Sequence, residues 1–368
     1  MPLQPRPEIE KLVPSPHGGL NQAELKAMGL NPEEIIDFSV CSNPFMPPPE
    51  LSEILDAIVI SRHPDSEATE FRECLASKLA VPAANILAGN GAMELIRLIT
   101  LAYFRAGDSA LILEPTFGEY RVACQIAGTT VIGQWGKEEE NFAHRIDETT
   151  DLIKRNRPRG VFICNPNNPT GRYLSRQEIE AVLDACQETL LVLDEAYLSF
   201  VDESWSSLDL IERDNLIIVR SMTKDYALAG LRLGYAIAHP EIINTLRRVQ
   251  PPWSVNGLAQ KAGIIALKDT VCFESSKREL KRAERFLRDE FCRLCFIPVP
   301  SETNFFLVKT GKAKDFRAAL LREGIMVRDC ASFGLPDYVR IAIRSIPECQ
   351  KLIAAIEAMD KNEEKGEK

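Results

Sequence analysis

The chain has 368 residues, 45% of them hydrophobic, and a formal net charge of −9. That acidic balance argues against a nucleic-acid binder held by phosphate contacts. No run approaches the roughly 20 apolar residues of a membrane helix, and the opening MPLQPRPEIEKLVPSPHGG lacks the apolar core of a signal peptide.

In chain order, a proline-rich stretch (1–50) reads as an N-terminal arm that packs on a smaller unit and over the active site. Residues 51–250 then alternate apolar runs with helical patterns. The runs are NILA (85–88), ALIL (110–113), TTVIG (129–133), GVFIC (160–164), LLVL (190–193), LIIV (216–219) and YAIA (235–238). Each has the length of a buried strand. One intervening helix is announced by Ser175 and Glu178, a capping-box pair. Strand–helix alternation predicts an α/β fold with a mainly parallel sheet. From residue 251 the pattern changes to long helices (257–268, 272–294), short strands in TNFFLVK and YVRIAIR, and a closing helix at about 347–360 before a charged tail. Residues 251–368 therefore read as a smaller α+β domain.

The ten cysteines read as reduced thiols of a cytoplasmic protein. Cys292 and Cys295 form a C-x-x-C inside a helical pattern and read as ordinary half-buried residues. His17, His63, His144 and His239 lack metal-ligand spacing, so no metal site is expected.

Four segments follow apolar runs and carry chemistry. GNGAMELI (89–96) is either a plain strand–helix turn or a phosphate loop at a helix start. Glu94 stands where a dinucleotide fingerprint needs its third small residue. CNPNNPTG (164–171), taken alone, is a surface turn with exposed amides. LLVLDEAY (190–197) places Asp194 at a strand end, where α/β proteins hold ligands; the other reading is a helix cap. SMTKDYALAGLRLGY (221–235) carries Ser221, Lys224 and Arg232, which alone could be three unrelated surface residues. Lys224, kept from water among cations, would have a lowered pKa and become a nucleophile. Together the four fit one ligand. GNGA, Ser221 and Arg232 suit a phosphate, Asp194 a ring nitrogen, Asn168 and Tyr197 a ring hydroxyl, and Lys224 an aldehyde. Pyridoxal 5′-phosphate has all of these groups.

The ordered set N-P-x-N-P-T-G, D-x-A-Y and S-x-x-K, with an arginine eight residues beyond the lysine, resembles the fold-type I pyridoxal-phosphate enzymes of the class I/II aminotransferase superfamily. The resemblance spans nearly the whole chain and implies a homodimer acting on a small-molecule substrate. It implies that Lys224 bonds the cofactor aldehyde and later shuttles protons, and that Asp194 keeps the pyridine nitrogen protonated. Asn168 and Tyr197 would contact the ring oxygen, and Tyr120 would stack on the ring. Gly91, Ala92, Met93, Ser221, Thr223 and Arg232 would hold the phosphate, and Arg340 the substrate's acidic group. His63 stands where relatives place a tyrosine that reaches the partner's cofactor phosphate.

The outer segments PHGG (16–19), IIDFSVCSNPF (35–45), PPWSVNGLA (251–259) and GIMVRDCASFGLPDYVRIAIRS (324–345) most resemble the L-threonine-O-3-phosphate decarboxylases of cobalamin biosynthesis. That implies loss of CO2 from threonine phosphate to give (R)-1-amino-2-propanol O-2-phosphate. His17 and Gly18 would close over the substrate, and Asn43, Arg328 and Arg340 would grip its phosphate and carboxylate. The alternative is a histidinol-phosphate aminotransferase, which shares the cofactor set and passes the amino group to 2-oxoglutarate.

Overall fold

The computed structural model describes residues 3–46, 54 and 61–366. The expected boundary between residues 50 and 51 lies outside them. Twelve strands occur among the described residues: β1 (Ile36–Asp37), β2 (Ile86–Asn90), β3 (Ser109–Glu114), β4 (Thr130–Trp135), β5 (Gly160–Cys164), β6 (Leu190–Asp194), β7 (Leu216–Ser221), β8 (Leu233–Ala238), β9 (Phe305–Lys309), β10 (Ile325–Met326), β11 (Arg328–Asp329) and β12 (Tyr338–Ala342).

Seven of them form one sheet in the order β2-β8-β7-β6-β5-β3-β4. The pairs from β7 through β4 are parallel, whereas β8 runs antiparallel to both β2 and β7. The central strands are apolar throughout because both faces are covered. Leu111, Val161, Leu191 and Ile218 feed one core, and Ile112, Phe162, Val192 and Ile217 feed the other. This is the α/β fold with a mainly parallel sheet that the alternation of runs predicted, and the fold-type I arrangement that the resemblance implied.

A three-stranded antiparallel sheet, β11-β12-β9, has its own core, in which Phe305, Phe306 and Ile341 meet Leu287 and Phe291. The last two lie on the 24-residue helix Thr270–Arg293. β1, from the N-terminal stretch, pairs in parallel with β10. The closing helix extends further than expected, over Ile346–Gly366. Cys292 and Cys295 are free and exposed rather than half-buried. Among the described residues no helix is long and apolar enough to cross a membrane, and no group of three or more His, Cys, Asp or Glu is placed to hold a metal.

The sheet order positions the site. The C-terminal ends of β2, β3, β5, β6 and β7 share one edge, because these strands run the same way. β8 runs against them, so its first residues, just after Arg232, join that edge: Gly234 pairs with Gly89 on one side and Ser221 on the other.

Candidate active site

At this edge lies a cavity of about 290 Å³ lined by residues from the sheet, from the small unit and from residues 15–18. The helix α1 (Gly91–Tyr103) begins directly after β2. Gly91 has φ +72, a left-handed conformation, and a Cβ there would sit 2.8 Å from Arg232 Nη2. A Cβ at Gly234 would come within 2.8 Å of the Ala92 backbone nitrogen. Two glycines thus let a guanidinium and a helix N-terminus converge, and the first amides of α1 have no partner within the helix. Ser221 Oγ and Thr223 Oγ1 share a hydrogen bond of 2.7 Å beside them. Ala92, Met93, Ser221, Thr223 and Arg232 all line the cavity. The donor set suits a phosphate.

Asp194 ends β6, 4% exposed. Its Oδ2 accepts from the Tyr120 hydroxyl at 2.6 Å and its Oδ1 from the Ala196 amide at 3.0 Å. Burial pushes its carboxyl up to about 6, and those two hydrogen bonds only partly offset it. A buried carboxylate with neutral donors alone suits a cationic ring N–H. Lys224 is kept from water, and burial, aided by the Arg340 and Arg232 charges, lowers its pKa. Asn168 and Tyr197 line the same cavity. The residues present therefore fit pyridoxal 5′-phosphate: a phosphate cup at Gly91–Met93, Ser221, Thr223 and Arg232, a carboxylate at Asp194, and an amine at Lys224.

Arg340, on β12 and 5% exposed, donates through Nη1 to Asn168 Oδ1 and through Nη2 to the Ser39 carbonyl at 2.7 Å. Its Nε is buried without a partner, which leaves a cationic donor for an anion. His17 and Gly18 line the cavity.

One expected contact is placed elsewhere. Asn43, 1% exposed, does not line the cavity. Its side-chain amide donates to the Asp225 carbonyl and to Ser276 Oγ, and its backbone N–H donates to the Lys224 carbonyl. It buttresses the lysine loop and has no donor left for substrate. Tyr120 lines the cavity but is fully buried, with its ring stacked on Phe162 and its hydroxyl on Asp194. Phe117, part-exposed at the cavity, is a further aromatic on its wall, three residues before Tyr120. His63 is exposed and stacks on Trp253 with ring centroids 4.4 Å apart, outside the cavity. Arg328 does line the cavity, but its guanidinium donates to the carbonyls of Pro16 and His17 and to Ser332 Oγ. Ser39 and Phe333, also on the wall, belong to no motif with a chemical signature.

Residues 33–356 match the family model of aminotransferase class I and II. The histidinol-phosphate aminotransferase of Methanocaldococcus jannaschii is 34% identical over 361 residues, covering 96% of each chain. Others of that name match at 32 to 36%. Among solved structures, the histidinol-phosphate aminotransferase of Sinorhizobium meliloti in complex with pyridoxal-5′-phosphate superposes with a TM-score of 0.85 at 22% identity, covering 96% of this chain and 98% of that one. L-threonine-O-3-phosphate decarboxylase from Porphyromonas gingivalis gives 0.74 at 30% identity, covering 85% and 94%.

These similarities overturn the expectation of a threonine-phosphate decarboxylase. One of the outer segments stands apart from the site. PWSVN (252–256) does not line the cavity; Asn256 caps the next helix by accepting from the Ala259 amide, and Ser254 accepts from Gln250. That stretch builds a turn and selects no reaction.

Proposed function

The chain belongs to the aminotransferase class I and II family and uses pyridoxal 5′-phosphate, and we propose that it transfers the amino group of histidinol phosphate to 2-oxoglutarate. The observation that carries this reading is the near-full-length similarity to histidinol-phosphate aminotransferases. The geometry is consistent with it. Histidinol phosphate bears a phosphate beside its amine-bearing carbon, and 2-oxoglutarate bears a carboxylate beside its carbonyl. Arg340, with its unpartnered Nε, offers one guanidinium that both can use in turn.

Bound pyridoxal phosphate supplies an aldehyde that takes up an amino group and a ring that withdraws electrons from the neighbouring carbon. The chain's residues do the rest. Lys224 Nζ, its pKa lowered by burial, is the group placed to take a proton from the substrate carbon and return it at another. Asp194 faces the ring nitrogen as the group that would hold its proton. Asn168 is fixed by Arg340, so the anion grip and the ring-oxygen contact are set by one hydrogen bond. That coupling orients the substrate over the ring.

Purified holoenzyme given histidinol phosphate and 2-oxoglutarate is expected to form glutamate, and none if either is omitted. Arg340→Ala is expected to lower kcat/KM about 100-fold, the scale of losing a buried charged hydrogen-bond partner. No glutamate from the wild-type protein would overturn the reading.

A further inference from the structure

Residues 15–18 lie along the wall of the cavity and are tied on two sides. Arg328 holds one side by donating to the Pro16 carbonyl at 2.7 Å and the His17 carbonyl at 3.0 Å. On the other side, His17 Nε2 donates to Glu119 Oε1 at 3.0 Å. Glu119 opens the helix α2 (Glu119–Ile126), and its side chain is 8% exposed. Its second oxygen accepts from Arg97 Nη2 at 2.9 Å, from α1. The strap also approaches α2 closely, since a Cβ at Gly118 would lie 2.4 Å from Ser15 Oγ. The His17 ring sits 5.9 Å from that of Phe117.

A carboxylate as buried as Glu119 needs paired charge. Arg97 supplies it from the neighbouring helix. The second partner comes from a segment 102 residues away, in an arm that Arg6 also ties to α2 by donating to the Ile126 carbonyl at 3.0 Å. A pair formed only to neutralise Glu119 would not need it.

We infer that Glu119, held by Arg97, is a positioning residue that acts through His17 to keep residues 15–18 closed against the cavity. The charges facing His17 are Glu119 from α2, Arg97 from α1, and Arg328 from β11, which binds the His17 carbonyl. With His17 protonated, the contact to Glu119 is a hydrogen bond between opposite charges. With His17 neutral, a weaker bond to the carboxylate remains. The strap also occupies Arg328, which leaves Arg340 as the guanidinium for the substrate anion.

Hydrogen exchange of the holoenzyme, read on peptides covering residues 12–20, tests this without any substrate, so failure of the proposed reaction leaves the test intact. Glu119→Gln and His17→Gln are each expected to lower protection of these peptides about tenfold relative to the wild-type protein. With a turning-over amino donor, Glu119→Gln is expected to raise KM about tenfold while kcat changes less than about threefold. Wild-type protection in either variant overturns the inference. Should Glu119→Gln fail to fold, His17→Gln decides alone, because His17 is exposed.

Discussion

Asp194 carries a burden that the cofactor relieves. Its partners in the chain are a phenol and an amide, and burial raises its pKa from 3.8 to about 6. A carboxyl whose folded pKa is raised binds more protons in the folded state than in the unfolded one between those two values. Stability is therefore lost as pH rises through that window, and the penalty is full above about pH 6, on the order of 3 kcal/mol. Asp194→Asn is thus expected to raise the Tm of the cofactor-free protein at pH 8 and to leave it nearly unchanged at pH 4. The same substitution is expected to abolish activity, because an amide cannot hold a protonated ring nitrogen. Thermal melts at the two pH values check this; equal shifts at both would refute the assignment of the penalty to this carboxylate.

The strand-end loops show what periodicity can and cannot convey. Seven apolar runs marked the seven strands of the main sheet; the central strands are buried on both faces, whereas β4, at the edge, is largely open. Their order and direction left no trace in the runs. The antiparallel course of β8 brings Arg232 to the cup, and only the pairing reveals it. The two-residue strands β1, β10 and β11 were too short for any pattern. Lys224, Asp194 and Asn168 were legible because each follows an apolar run at a fixed spacing. Asn43, Phe117 and Glu119 were misassigned or overlooked because their roles arise when distant segments close on one another. Gly234 offers a test at this scale. Gly234→Ala would press a methyl against the Ala92 amide and the Arg220 carbonyl. The protein is expected to remain folded, at a cost of about 1–3 kcal/mol, and its cofactor affinity to fall at least tenfold. Titration of the apoprotein with pyridoxal phosphate measures it, and unchanged affinity would speak against the convergence of β8 and α1 as the phosphate cup.

At the scale of the whole molecule, the cavity joins the sheet edge to β11 and β12, so Arg340 and the residues that suit a phosphate belong to different sheets. Outside that cavity, His63 and Trp253 stack at an exposed position. We propose a homodimer in which this face meets a second copy and His63 reaches toward the partner's phosphate. Sedimentation is expected to give twice the mass of one chain. His63→Ala is expected to weaken cofactor binding without disturbing the fold; a monomer of full activity would contradict the proposal. The most direct test of the chemistry follows the nitrogen itself. Histidinol phosphate labelled with 15N at its amine, incubated with holoenzyme and unlabelled 2-oxoglutarate, is expected to yield 15N-glutamate in step with loss of the labelled donor. Glutamate without the label, or no glutamate while the donor is consumed, would contradict it.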